Sequence, residues 1–302
     1  MAPHRLLLTG ATGFVGRHVL TALPTELELH CVSRNTDGAE NVIWHQVDLR
    51  DSKAVADLIR EVQPTHLAHL AWNTEHGKFW HAQDNIAWRD AGIEMTSAFA
   101  ECGGRRLIIA GTGAEYTADA VSPINELSNL LSPVTLYGQA KRDLFLSASD
   151  IAAAHKVSFS WPRIFNAYGE GEPAGRLVPS IINAILRGER AKCSSGIQQR
   201  DFVDTRDLGS AIAKLIFSGV EGPINLGSGQ DATIGDIARL IGDLMDRSDL
   251  IALGALPDRE GEPVVQVPDL KRMREDLKYK PKINHKRGLQ DAIDWWCARL
   301  SA

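Results

Sequence analysis

Residues 6–20 read LLLTGATGFVGRHVL, an apolar run that stops at three glycines spaced three apart and then resumes with helical spacing. Leu6, Leu7 and Leu8 suit a strand buried on both faces. Gly10, Gly13 and Gly16 then allow a tight turn, close backbone approach to a ligand, and close packing of the following helix. Phe14, Val15 and Val19 give that helix an apolar side. A helix N-terminus presents unpaired N–H groups and a partial positive charge, which suit a pyrophosphate. The strand before and the helix after turn a bare glycine pattern into a dinucleotide signature. An ordinary β-turn-α connection with incidental glycines is the competing reading.

The segments that follow alternate in the same way. Strand-like runs fall at 28–33, 42–47, 66–71, 106–110 and 157–161, with amphipathic stretches at 15–23, 52–62, 84–102 and 135–155 between them. Such alternation means a parallel sheet with helices on both faces, so the expected fold is α/β: a doubly wound Rossmann-type parallel sheet. After Trp161 the pattern loosens, with Pro162, Gly169, Gly171, Pro173, Gly175 and Pro179 crowding one segment. Further units follow: a helix near 205–217, a strand at 223–226, a helix near 234–246 and an amphipathic terminal helix, GLQDAIDWWCARL. The expected division is residues 1–164 and 203–227 for the dinucleotide domain. Residues 165–202 and 228–302 would form a smaller C-terminal substrate domain.

With 302 residues, 44% of them hydrophobic, the chain can bury a sizeable core. Its formal charge of −5 is mixed along the sequence, which argues against a nucleic-acid partner. No run approaches transmembrane length and no signal peptide is evident, so neither a membrane nor a secretory route is expected. Cys31, Cys102, Cys193 and Cys297 are scattered without a CxxC pair, consistent with reduced thiols in a cytoplasmic protein.

Tyr137 and Lys141 stand in YGQAK, four apart, and so share one face of a helix. A free phenol titrates near 10, and a neighbouring ammonium lowers that value, readying the group for proton transfer. The lysine also supplies donors for a ribose. Thr112, in IIAGTGAEY, falls just past a strand's C-terminal end, where ligands bind in open α/β sheets. Its hydroxyl can hold a substrate carbonyl beside Tyr137. His66, His69, His76 and His81 tempt a metal reading, but no carboxylate or thiol completes a ligand set, and no metal is expected. Trp72, Trp80 and Trp88 are expected to pack a loop and a helix rather than to form a stacking platform.

At this point the sequence resembles the extended short-chain dehydrogenases/reductases of the sugar-nucleotide epimerase/dehydratase group. The resemblance runs through TGATGFVG, VDLRD, HLAHLAW, GTGAEY, YGQAK, PRIFNAYGEG, QRDFVDTRD, NLGSG and DREGEP, in the expected order over nearly the whole chain. It implies that Thr112, Tyr137 and Lys141 are the catalytic trio. It also implies that Gly10, Thr12, Gly13, Phe14, Val15 and Gly16 hold a dinucleotide, that Asp48 and Leu49 flank its adenine, and that Leu70, Ala71 and Asn85 lie along it. On the substrate side it places Asn166, Arg200 and Arg259 at the phosphates of a nucleoside diphosphate and Leu177 and Val178 beside the base. Family members commonly pair as homodimers through helices matching 84–102 and 135–155.

The second strand ends in CVSRN, where NAD-binding members carry an acidic residue. Ser33, Arg34 and Asn35 offer no carboxylate, and Arg34 can pair with a 2′-phosphate, so NADPH is favoured over NAD. Asp37, slightly further on, counts the other way. Resembling 4,6-dehydratases have an acid–base pair directly after the catalytic threonine, where this chain has Gly113 and Ala114. Glu115 comes one place late and would face away if the strand continued. The 3,5-epimerising reductases use a cysteine and a histidine at positions that match Ala114 and Arg176. What remains is NADPH-dependent reduction of a nucleotide-diphosphate-linked 4-keto-6-deoxysugar. The alternatives are a sugar-nucleotide 4-epimerase with tightly bound NAD, a small-ketone reductase and a non-catalytic dinucleotide sensor.

Overall fold

Alternation along the first strand decides how the layers form. In β1 (Arg5–Thr9), Leu6 and Leu8 point into one hydrophobic cluster and Leu7 into another, and all three are almost fully buried. A strand can do this only inside a sheet covered on both faces. The computed structural model describes residues 4–34, 41–127, 131–259 and 261–300.

After β1 the chain runs α1 (Gly16–Ala22), β2 (Glu28–Ser33), β3 (Ile43–Gln46), α2 (Ser52–Val62), β4 (His66–His69) and α3 (Asp84–Glu101). It continues through β5 (Arg106–Ile109), β6 (Gly111–Thr112), α4 (Leu136–His155), β7 (Ser158–Ile164), β8 (Asn166–Tyr168) and α5 (Leu177–Leu186). Then come β9 (Ala191–Lys192), β10 (Gln199–Asp204), α6 (Thr205–Ile216), β11 (Gly222–Leu226), β12 (Asp231–Thr233) and α7 (Ile234–Leu244). The last elements are β13 (Ile251–Ala252), β14 (Val265–Gln266), α8 (Lys271–Glu275) and α9 (His285–Leu300).

The main sheet has the order β11-β7-β5-β4-β1-β2-β3, with β6 beside β7, and its described pairs are parallel. The chain steps outward from β1 to β3 and then crosses back to β4 on the other side of β1. This reversal opens a crevice at the carboxyl ends of β1 and β4, the place where doubly wound sheets take ligands. One face is covered by α1 and α6, the other by α2, α3 and α4. α2 illustrates how sequence sets such a helix. Asp51 caps it by accepting from the Ala54 N–H at 3.0 Å, and Val55, Leu58, Ile59 and Val62 form its buried stripe. Gln63, left-handed at φ 50°, ends it.

β7 runs three residues beyond the expected 157–161, through Pro162 to Ile164. A proline inside a central strand is tolerated here because pairing on the β5 side is interrupted at that point, while on the other side Pro162 stays in register with Ile224 of β11. Ile108 lies opposite Ser160 and Gly111 opposite Arg163, and Pro162 falls in the gap. Beyond β7 a smaller sheet forms, β12-β10-β14 with β8 beside β10, and α5, α7 and α9 enclose its core. The chain then returns to the main sheet, where Leu270, Met273, Leu277 and Tyr279 join the cluster beside α6. Asp207 anchors that return, accepting from the Tyr279 hydroxyl and from the N–H groups of Lys282 and Ile283. Cys31, Cys102 and Cys193 are free thiols, and among the described residues no helix is long and apolar enough to cross a membrane.

Gly10 is the turn residue that most needs to be glycine. Its φ is +74°, and a Cβ there would lie 2.7 Å from the Ala71 backbone nitrogen at the end of β4. Gly10→Ala is expected to cost about 1–3 kcal/mol, readable as a lower urea midpoint, because it adds left-handed strain to that overlap.

Candidate active site

The crevice is a cavity of about 670 Å³. Gly10, Thr12, Gly13, Phe14, Val15 and Gly16 form one wall, and Leu70 and Ala71 from the end of β4 form another. Ser33, Arg34, Asp48, Leu49 and Arg50 line it just beyond β2 and β3, and Tyr137 of α4 lines it with Phe165, Pro173 and Arg176 from the chain after β7. Its volume, its glycine-built wall and its position at the strand-order reversal fit a dinucleotide. Asn35 and Asp37 lie outside the described residues.

Asp48 forms a two-bond ion pair with Arg50, at 3.1 and 2.9 Å. That bonding, with a further contribution from the Arg34 charge, holds the carboxyl down at about 2. Trp72, Asn73, Thr74, Glu75, Asp84, Trp88 and Arg50 line the cavity too, beyond the residues named from the sequence. Trp72 follows the HLA motif directly, and that adjacency was the available signal.

Thr112 and Tyr137 come together. Thr112 ends β6 and caps the 3-10 turn Gly113–Glu115, while Tyr137 sits in the first turn of α4, whose cap is Thr135. Tyr137 is 8% exposed, on the cavity wall. Burial pushes the phenol up to about 12, and the nearby Thr112 side chain only partly offsets this. The expected lowering of Tyr137 by Lys141 is therefore corrected. Lys141 is buried, donates to the Ala110 carbonyl at 2.8 Å, and lies 3.8 Å from the centre of the Trp72 ring. Burial brings its ammonium down to about 7, with the Glu115 charge acting the other way.

The expectation that Glu115 faces away is also revised, because the strand does not continue. The chain turns, and the Glu115 carboxylate is fully buried beneath Thr112. It accepts from the Thr112 N–H at 2.8 Å, from the Trp161 indole at 2.9 and 3.0 Å, and from Arg163 Nε at 2.7 Å. Glu115 is thus a support for the threonine and is not among the cavity's lining residues.

Other positions differ from the sequence reading. Asn85 is spent on holding the segment before α3: it accepts from the Trp72 indole at 2.8 Å and donates to the carbonyls of Phe79 and Ala82. It is 1% exposed and does not line the cavity. Trp72, Phe79 and Trp80 surround Tyr137 with ring centres 4.9–6.1 Å away, so the tryptophans pack loop against helix as expected, and Trp72 and Trp88 also line the cavity. Val178 is 1% exposed and belongs to the second core, because its place in α5 turns it inward. Arg200 is buried at 5% and engaged by Glu262 at 2.9 Å and by the carbonyls of Gln199, Val264 and Pro263. Asn166 donates to the Asp201 carbonyl, Leu177 is half-buried, and Arg259 is exposed.

The chain matches the model of the NAD dependent epimerase/dehydratase family over residues 6–227, and it belongs to that family. It is 27% identical to UDP-glucuronic acid decarboxylase 1 of Danio rerio over 310 residues, covering 98% of this chain and 73% of the relative. Its fold is that of the UDP-glucose 4-epimerase of Thermotoga maritima, solved with UDP-glucose (TM-score 0.86, 20% identity, 98% of this chain and 99% of that one). The dTDP-glucose 4,6-dehydratase of Streptomyces venezuelae, solved with NAD, has a TM-score of 0.84 at 20% identity, with 98% of each chain covered.

Breaking a buried ion pair by removing one partner costs about 3–5 kcal/mol. Glu115→Gln is expected to lose stability on that scale in urea unfolding, since it leaves Arg163 charged and buried. Glu115→Gln with Arg163→Met should recover most of the loss. Equal midpoints for the single variant and the wild type would contradict this account of the pair.

Proposed function

We propose that this member of the NAD dependent epimerase/dehydratase family is an NADPH-dependent reductase of a nucleotide-diphosphate-linked 4-keto-6-deoxysugar. The observation that carries the reading is the Thr112–Tyr137 pair. A phenol held at about 12 is protonated near neutrality, and reduction of a carbonyl is the direction that takes up a proton. Gly113 and Ala114 beside the pair have no acid–base group, which speaks against dehydration. The names of the relative and of the structural neighbours, which refer to UDP- and dTDP-sugars, support a nucleotide sugar as substrate.

In this reading the wall from Gly10 to Gly16 holds the dinucleotide's pyrophosphate, with Ser33, Arg34, Asp48 and Leu49 at its adenosine end and Leu70 and Ala71 along it. When bound, the dinucleotide supplies the hydride. Thr112 holds the ketone oxygen, Tyr137 gives its proton to that oxygen, and Lys141, beneath Trp72, binds and orients. Asn166, Leu177 and Arg259 serve the nucleoside diphosphate, whereas Arg200 would have to leave Glu262 to join them. Exposed Ile86 on α3 and Leu146 on α4 support a homodimer through those helices.

A second reading, a 4-epimerase with tightly held NAD, is favoured by one observation. Asp48 keeps a charged carboxylate at the Arg34 end of the cavity, where it suits ribose hydroxyls better than a 2′-phosphate. Two measurements decide. NADPH should bind more tightly than NADH in fluorescence titrations, and Arg34→Ala should erase much of the difference. Equal wild-type affinities, or NAD retained through purification, would favour the epimerase. Tyr137→Phe should retain dinucleotide binding while turnover of a 4-ketosugar nucleotide falls by roughly 10²–10⁴-fold. Turnover at the wild-type rate would remove Tyr137 from the chemistry.

A further inference from the structure

Tyr137 and Lys141 stand one turn apart on α4, yet the tyrosine lines the cavity and the lysine does not. Trp72, which follows Ala71 after β4, does line it, and Lys141 Nζ packs over the Trp72 ring, 3.8 Å from its centre. The lysine itself is 3% exposed. The indole is fixed in that place. Its N–H donates to Asn85 Oδ1 at 2.8 Å, Asn85 donates to the carbonyls of Phe79 and Ala82, and the Trp88 ring lies 6.1 Å away. Behind the ring the ammonium has one hydrogen-bond acceptor among the described residues, the Ala110 carbonyl at 2.8 Å. An ammonium carries three N–H groups, and the face of an indole takes the charge that one carbonyl leaves unsatisfied. The other ionisable groups acting on Lys141 are Glu115, buried beneath Thr112, and His69 on β4. His69 bonds Thr9 Oγ1 at 2.7 Å, and burial holds it down at about 3, so it brings no charge near neutrality.

We infer that Trp72 is a positioning residue for Lys141: its indole, pinned by Asn85, shuts the ammonium off from the cavity and holds it against Ala110. A ligand in the cleft then reaches the lysine only where the ring gives way. The inference rests on the reading above solely in taking Lys141 as a group that binds. It also accounts for a phenol that stays high with a lysine one turn away. Under the ring, burial brings the ammonium down to about 7, so much of its charge is gone near neutrality.

Competitive acetylation of the ligand-free protein with acetic anhydride, read lysine by lysine by mass spectrometry across a pH series, tests the inference. In the wild type Lys141 should titrate near neutrality, and its limiting rate in alkali should fall well below that of the exposed Lys156. Trp72→Ala should raise the Lys141 midpoint by about one pH unit or more, because water then solvates the ammonium. Its limiting rate should rise toward that of Lys156. Trp72→Phe, which restores a ring face, should recover part of both changes. Thermal melts establish that each variant is folded. A folded Trp72→Ala with the wild-type midpoint and rate overturns the inference. So does Trp72→Phe indistinguishable from Trp72→Ala, since the ring face would then not be the cover. A wild-type Lys141 that reacts as fast as Lys156 overturns it with no variant needed. Neither midpoint nor rate involves a dinucleotide, a sugar nucleotide or turnover, so the reductase reading and this inference can fail separately.

Discussion

The close approach of the Gly10 backbone to Ala71, at the carboxyl ends of β1 and β4, is the contact on which the cavity depends. β1 and β4 are hydrogen-bonded neighbours, yet the chains leaving them diverge, one into α1 and the other into the segment before α3. A side chain at position 10 would fill the gap between them. With glycine there, the turn folds back on itself, Gly13 N–H reaches the Gly10 carbonyl at 3.0 Å, and α1 starts against the sheet. Everything placed around the cleft, from Arg34 after β2 to Tyr137 on α4, is positioned relative to that opening.

A second constraint lies beneath the Thr112–Tyr137 pair. The Glu115 carboxylate and the Arg163 guanidinium are both shut away from water, and neither could be left alone there. Arg163 continues the network to the Tyr116 hydroxyl at 3.2 Å, and Tyr116 donates to Asn225 at 2.8 Å. Asn225 in turn donates to the carbonyls of Ile124 and Asp269, tying β11 to two distant segments. Gln266 on β14 donates to the Gly113 carbonyl, so the small sheet touches the same turn. The threonine is therefore held by residues from across the chain, and its position is more rigidly fixed than a strand-end residue would be by backbone pairing alone.

The site was legible where a residue's role follows from its neighbours in sequence. The glycine triplet, Thr112 at a strand end and the four-residue spacing of Tyr137 and Lys141 all carry local meaning, and these residues fall where their motifs place them in the fold. Partners distant in sequence were not legible. Nothing in YGQAK tells that Trp72 lies over Lys141, or that burial raises Tyr137 more than any neighbour lowers it. Likewise QRDFVD does not reveal that Glu262 already occupies Arg200, nor YGEGEPAGR that Glu172 is buried beside an arginine facing the cleft.

The sequence by itself determined the doubly wound sheet, because burial on both faces and the 3.6-residue period are written into consecutive residues such as Leu6–Leu7–Leu8 and Val55–Leu58–Ile59–Val62. It also determined that the cleft at the glycine turn suits a dinucleotide. Only the tertiary structure decided which ionisable groups are exposed, paired or buried. Charge state depends on distance through space and on exclusion of water, and both are set by residues far apart in the chain. That is why burial raises the Tyr137 phenol, Glu262 engages Arg200, and Arg176 lines the cavity beside a carboxyl that burial also raises.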